Sequence, residues 1–184
     1  MQIYTLSHVM SRQHRAALIE LDTAVFGNES AWSNAAFDSP VARKFEVSVI
    51  AFMRDQVAGF AVASRSDAES VHIHRIAVDP AFRNLRVGRH LINAVEERAL
   101  DIGASRATLE FADSLNVAGF YDSLGYSRAS TSVVRDYLKH KNKQTQEKLY
   151  LPLEQSQRIV YLKPLTRNEI SVSGSKSETQ DQHA

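Results

Sequence analysis

The stretch AVDPAFRNLRVGRHLINAVEERAL, residues 77–100, decides the fold. It reads as the end of a β-strand, a tight basic turn around Gly88, and then an amphipathic helix. Val87, Leu91, Val95 and Ala99 recur four apart, and Ile92 widens the apolar stripe beside them. The first helical turn therefore sits directly on Arg83–Arg89. Free backbone N–H groups and the positive end of the helix dipole favour an anion there. Arg83, Arg86 and Arg89 crowd the same turn, which suits a phosphate or pyrophosphate better than a single carboxylate. The same residues also fit a solvated basic turn ahead of a surface helix, so the segment needs a second signal beside it.

That signal is SLNVAGFYDSLGY, residues 114–126. It reads as a short helix over 114–124, stopped at Gly125, a residue suited to a left-handed C′ position. Together the two segments resemble the GNAT superfamily of acyl-CoA N-acyltransferases. In that family the cofactor loop reads Arg/Gln-x-x-Gly-x-Gly/Ala, matched at its first position by Arg83 and at its last by Gly88. A helix carrying Phe-Tyr and ending in Leu-Gly-Phe/Tyr is matched by Phe120, Tyr121, Leu124, Gly125 and Tyr126. Ile76-Ala77-Val78-Asp79-Pro80 is a frequent form of the strand and exit before the loop. The resemblance covers about residues 1–165. Within the superfamily the pattern is nearest to the branch that acetylates protein N-termini, as in the bacterial ribosomal-protein alanine acetyltransferases, through Leu21, Asp22, Phe26, Trp32 and Ser33.

One position departs from the family pattern. Arg86 stands where the loop usually has its first glycine, a residue that tolerates positive φ and lets the backbone approach a pyrophosphate. The arginine keeps its N–H donor and adds a charge that can close over phosphates.

Composition bounds the rest. With 184 residues, 43% apolar and 23% charged, the chain is expected to form one globular domain over 1–165, with an insertion at 138–156 and a disordered tail at 166–184. A net charge of +1 argues against a dedicated nucleic-acid binder. No cysteine is present, which excludes disulfides, thiolate metal sites and a cysteine nucleophile. The N-terminus lacks the basic and apolar regions of a signal peptide, and no apolar run reaches the length of a membrane span. A cytoplasmic protein, monomer or homodimer, is the expectation.

Local patterns predict a short strand at 2–6 and a helix from His8 to Phe26 capped by Ser7. Ser33 is positioned to cap a second helix. Phe45–Arg54 and Val57–Arg65 read as a hairpin around Asp55-Gln56. Further strands are expected at 71–78, 106–112, 126–137 and 157–163. Strands joined first by hairpins and later alternating with helices imply a mixed, mainly antiparallel α/β sheet of about seven strands with flanking helices. This order is also that of the resembling family. KHKNKQTQEK, residues 139–148, is either a solvated loop or a cationic lining to an acceptor entrance.

Amine acylation from a thioester needs a neutral amine, a donor for the thioester oxygen and compensation for the leaving thiolate. An α-ammonium, with pKa near 8, needs less help than a lysine-type ammonium near 10.4. Glu110 shares a strand face with Thr108 and Ala112, opposite Leu109 and Phe111. A Glu at this strand site accepts the amine proton in the branch the chain resembles; the alternative is a strand-end Glu paired with a basic neighbour. The resemblance makes Tyr121 the candidate acid toward the departing sulfur, against a core aromatic, with Phe120 expected to fill the core-facing role. The spacing from Glu110 to Tyr121 is one residue shorter than in that branch. The resemblance further implies that acetyl-CoA lies between strands 71–78 and 106–112. Backbone groups of Ile76, Ala77 and Val78 would hold the pantetheine. Arg83, Asn84, Leu85, Arg86, Val87, Gly88 and Arg89 would hold the pyrophosphate, with Ser114 or Asn116 on the pantetheine arm. His72 and His74, placed with Ile76 by alternation, are alternative bases; no third metal ligand accompanies them. The expected acceptor is a peptide α-amine or a small-molecule amine, and the competing reading is a CoA-binding sensor or interaction module without turnover.

Overall fold

The computed structural model describes residues 1–112, 115–130, 132, 134 and 158–167. In chain order the elements are β1 (Gln2–Thr5), α1 (His8–Gln13), α2 (Arg15–Phe26), α3 (Asn34–Asp38), α4 (Lys44–Val47), β2 (Val49–Met53), β3 (Gln56–Arg65), β4 (Ser70–Val78), α5 (Val87–Asp101), β5 (Arg106–Ala112), α6 (Ala118–Asp122), β6 (Ser127–Arg128) and β7 (Arg158–Pro164). The strands form one seven-stranded sheet in the order β1-β2-β3-β4-β5-β7-β6. Every pairing is antiparallel except β4 with β5. This is the mixed sheet that the sequence pattern predicts.

Period-two alternation divides the core into two layers. Val49, Ala51, Ala61 and Ala63 face α5, where Val87, Leu91, Ile92, Val95 and Ala99 form the stripe read from the sequence. Ile50, Phe60 and Val62 face the opposite way, onto Leu18 and Leu21 of α2, with Trp32 and Phe37. Leu91 and Val95 are fully buried, each contributing about 1.5–3 kcal/mol from removal of apolar area. Gly59 permits this close approach of α5: a Cβ there would sit 3.0 Å from Leu91 Cδ1 and 3.3 Å from Val87 Cγ1.

Several local expectations are corrected. The helix expected from His8 to Phe26 is two helices, broken at His14, whose φ of −104° and ψ of 17° leave the helical region. Ser7 caps α1 as expected, its side chain accepting from Met10 N–H, whereas Ser33 precedes α3 without a side-chain cap bond. Phe45–Val47 is helical, not strand. Arg43 adopts a left-handed φ of 56°, turning the chain so that Lys44 runs inward. There its ammonium donates to the carbonyls of Ala36, Phe37 and Ser39 at 2.9, 2.7 and 3.2 Å, closing the end of α3. Burial lowers the Lys44 pKa to about 8. The hairpin turn lies one residue earlier than expected, on Arg54 and Asp55, both with positive φ as a primed turn requires. The helix expected over 114–124 is confined to 118–122, because Asn116 has φ of 49° and Val117 takes the N-cap place. Of the strand expected at 126–137, Ser127–Arg128 is the part that pairs among the described residues, and Val134 N–H turns back onto Ser130 O. The whole of the expected insertion at 138–156, with the 139–148 segment in it, and residues 168–184 lie outside the described residues.

Candidate active site

β4 and β5 pair only from Ser70–Ile73 to Arg106–Leu109. Beyond that point they diverge around a cavity of about 1090 Å³, lined by His74, Ile76 and Val78 on one side and Glu110, Phe111 and Ala112 on the other. The cause is visible in the register of β4. Val62 pairs with Arg75 and Ala63 with Ile73, so His74 is an extra residue, a β-bulge. The bulge also overturns the expectation that His72, His74 and Ile76 share a face. His72 and His74 stay together, rings 4.9 Å apart, but Ile76 has switched to the α5 side. Both histidines are engaged: His72 Nδ1 with Thr108 Oγ1 at 3.0 Å, His74 Nε2 with Ser64 Oγ at 2.6 Å. His72 is buried, and His74 reaches the cavity.

Asp79 N–H donates to Ala58 O. Strand alternation then turns the peptide groups of Ala77 toward β3 as well, and those of Ile76 and Val78 toward the gap. The Ala77 side chain is buried on the α2 face. At the far end, Arg83, Asn84, Arg86, Val87, Gly88 and Arg89 line the cavity. Leu85, half exposed, and Asn116 do not, and Ser114 lies outside the described residues. Arg86 takes the N-cap place of α5 with φ of 60° and ψ of 15°, and no side chain caps the helix. His90 N–H is the first to reach back, to Arg86 O at 3.1 Å. The N–H groups of Val87, Gly88 and Arg89 thus begin the helix without a capping side chain. Arg89 is drawn sideways, donating to the Ser123 hydroxyl and carbonyl at 3.0 and 3.3 Å. Gly88 lies beside Phe120: a Cβ there would sit 3.3 Å from the ring.

The two aromatics of α6 exchange their expected places. Phe120 is 37% exposed, at the cavity rim, while Tyr121 is 8% exposed and stacks on Phe111, centroids 5.4 Å apart and planes at 18°. With α6 starting at Ala118, Tyr121 is the position that faces the sheet, and its ring still lines the cavity. Burial pushes its pKa up to about 12. Glu110 lines the cavity from β5, half-buried and engaged in its own interactions.

Asp22, Phe26 and Trp32, marked in the sequence only through the resemblance, form an assembly with Arg75 that the sequence reading missed. Asp22, fully buried on α2, accepts from Arg75 Nε and Nη2 at 2.7 Å each, and from Trp32 N–H at 2.6 Å. Arg75 Nη2 also donates to Ser30 O at 2.6 Å, and the guanidinium carbon lies 3.5 Å over the Phe26 ring. This assembly walls the α2 end of the cavity. An acid between the apolar residues Leu18, Leu21 and Val25 was the available signal, since a buried carboxylate needs a partner.

Among the described residues, no group of three potential metal ligands gathers, and no helix is long and apolar enough to cross a membrane.

Diverging strands, an uncapped helix start and a tyrosine thus meet at one cavity. Residues 12–126 match the model of the acetyltransferase (GNAT) family, and the chain belongs to that family. It is 31% identical over 113 residues to an uncharacterized protein of Mycobacterium leprae, covering 59% of this chain and 31% of that protein. The chain therefore spans about a third of the length of this curated relative. The fold is shared with the ribosomal-protein-S18-alanine N-acetyltransferase of Escherichia coli, at TM-score 0.66 and 18% identity over 93% of this chain and 97% of the other. It is shared too with N-acetylglutamate synthase of Neisseria gonorrhoeae, solved with coenzyme A and N-acetyl-glutamate, at TM-score 0.64 and 18% identity over 90% of this chain and 35% of the other.

Proposed function

We propose that the chain is an acetyl-CoA-dependent N-acetyltransferase that moves an acetyl group to a primary amine by direct attack. The observation that carries this reading is the divergence of β4 and β5 at the His74 bulge. It places the uncapped start of α5, Glu110 and Tyr121 around one cavity. A volume of about 1090 Å³ suits an elongated co-substrate together with a small acceptor. The N–H groups of Val87, Gly88 and Arg89, with Arg83 and Arg86, would hold the pyrophosphate. Peptide groups of Ile76 and Val78 would hold the pantetheine in the gap.

The chemistry then needs few parts. The amine nitrogen bonds to the thioester carbon, the C–S bond breaks, and the products are an amide and a thiol. Glu110 receives the proton lost from nitrogen, and Tyr121 donates toward the leaving sulfur. With no cysteine in the chain, no acyl-cysteine enzyme intermediate can form. The likeness to the Escherichia coli enzyme supports a peptide α-amine as acceptor, one that loses its proton near pH 8.

The packing of Tyr121 among Phe111, Phe120 and Tyr126 favours a second reading, a CoA-binding module without turnover. One assay separates the two: thiol release from acetyl-CoA against α-amino peptides, amino acids, polyamines and aminoglycosides. Release with any acceptor supports the enzyme. Tight CoA binding with no release across the panel supports the module.

A further inference from the structure

Arg75 has a use that the ion pair with Asp22 does not exhaust. Its Nε and Nη2 edge is committed to Asp22 and Ser30, and one face of the guanidinium is stacked on Phe26. Nη1 makes no hydrogen bond among the described residues, and the side chain, 14% exposed, lines the cavity beside His74, Ile76 and Trp32. A guanidinium fixed on one edge and one face presents its remaining nitrogen in a set direction at little entropic cost. The phosphate-binding arginines lie at the other end of the cavity, on the loop before α5, so Arg75 belongs to the acceptor end. Asp22 neutralises it, which leaves a directional N–H donor without a net cationic field against an incoming ammonium.

We propose that Arg75 Nη1 is the acceptor-recognition group, and that it selects amines bearing an oxygen on the adjacent carbon: an α-amino carbonyl or α-amino carboxylate. This rests on the acetyltransferase reading and narrows its substrate class. Phe26 and Trp32 set the guanidinium plane and Asp22 sets its rotation. Aliphatic amines and polyamines, which lack that oxygen, leave Nη1 desolvated and unpaired when they bind, and are discriminated against for that reason.

Trp32, the single tryptophan, lies 5.5 Å from the Arg75 guanidinium carbon and reports binding directly. The full chain, held with CoA, is titrated with L-alaninamide, L-alanine and 2-aminobutane while Trp32 fluorescence is followed. At least one oxygen-bearing amine is expected to bind ten- to a hundredfold more tightly than 2-aminobutane, the span of a charge-assisted hydrogen bond. Preference for alaninamide assigns a peptide terminus, and preference for alanine assigns a free amino acid. In Arg75→Lys, which keeps a cation against Asp22, that advantage should shrink to within about threefold. Asp22→Asn combined with Arg75→Gln, which removes both charges together, should behave alike. Equal binding of all three amines by the wild type, or an advantage that survives in the folded variants, overturns the assignment. Thiol release with acetyl-CoA is measured on the same samples. Selective binding without release refutes acetyl transfer and leaves the Arg75 assignment standing; release without selectivity does the reverse.

Discussion

Replacing Tyr121 by phenylalanine isolates one hydroxyl. The ring that stacks on Phe111 at 5.4 Å and meets Phe120 edge-on at 5.1 Å is retained, so the core around α6 keeps its packing. Stability should change by no more than about 1 kcal/mol, because a single hydroxyl is removed and the ring stays in place. The effect on turnover is set by what the hydroxyl does. Burial raises its pKa to about 12, against roughly 8.5 for an ordinary thiol. Complete proton transfer to the thiolate is therefore uphill by about 5 kcal/mol, at 1.36 kcal/mol per unit. The phenol instead contributes a hydrogen bond that strengthens as charge grows on sulfur. A preorganised donor of this kind in a water-poor site is worth about 10²- to 10³-fold in kcat. Initial rates of thiol release at saturating acetyl-CoA, with CoA affinity and melting temperature measured in parallel, test this. A hundredfold or larger fall in kcat, with CoA affinity and stability near wild type, is expected. Joint loss of stability and activity would show that the ring, not the hydroxyl, matters. Full activity would remove Tyr121 from the mechanism.

Other substitutions test the remaining parts. Gly88→Glu should abolish CoA binding in a folded protein, because the new side chain meets Phe120 and sets a carboxylate at the start of α5; undiminished affinity by calorimetry would refute the loop assignment. Arg86→Gly relieves a left-handed φ of 60° and should stabilise the fold by about 1 kcal/mol, with a loss in CoA affinity of roughly 1–3 kcal/mol if the side chain touches phosphate. Complete loss of binding would show that the backbone is not the main contact. Glu110→Gln should lower kcat and move the pH–rate profile upward with CoA affinity nearly unchanged; an unaltered profile would pass the proton to His74 or solvent. Tyr121 also makes stability fall in alkali. Its folded pKa, about 12, exceeds the unfolded value near 10, so its contribution is complete below pH 10 and is lost as pH rises toward 12, about 3 kcal/mol in all. Chemical denaturation from pH 9 to 11.5 should show this slope reduced in Tyr121→Phe.

What the sequence made legible was what local periodicity encodes. The α5 stripe, the basic loop and the glycine stop at Gly125 repeat within one or two turns of chain, and each is seen in the structure. Glu110 and Tyr121 were found by resemblance and do line one cavity. Missed features depend on partners distant in sequence. Whether 45–47 continues a strand turns on Lys44 meeting three carbonyls at residues 36, 37 and 39, a contact nearer in sequence but equally invisible to the periodicity around Phe45. The exchange of Phe120 and Tyr121 follows from where α6 begins, which the left-handed Asn116 fixes. Asp22 and Arg75 stand 53 residues apart, and only the misfit of an acid on an apolar helix face announces the pair.

The bulge at His74 links these misses to the site. Had β4 kept strict alternation, residue 75 would follow Val71 and Ile73 onto the α5 face, among Leu91 and Val95 and away from Asp22. One extra residue inverts the phase. Arg75 then pairs across from Val62, on the face of Asp22, Phe26 and Trp32, while Ile76 and Val78 pass to the α5 side. The same insertion bends β4 away from β5 and opens the gap beyond Ile73. Opening the cavity between β4 and β5 and turning Arg75 toward Asp22 are thus one event in the backbone. The bulged strand thereby gives the Arg75 guanidinium the buried Asp22 carboxylate, a pairing that strict alternation would break, leaving Asp22 buried without its cation.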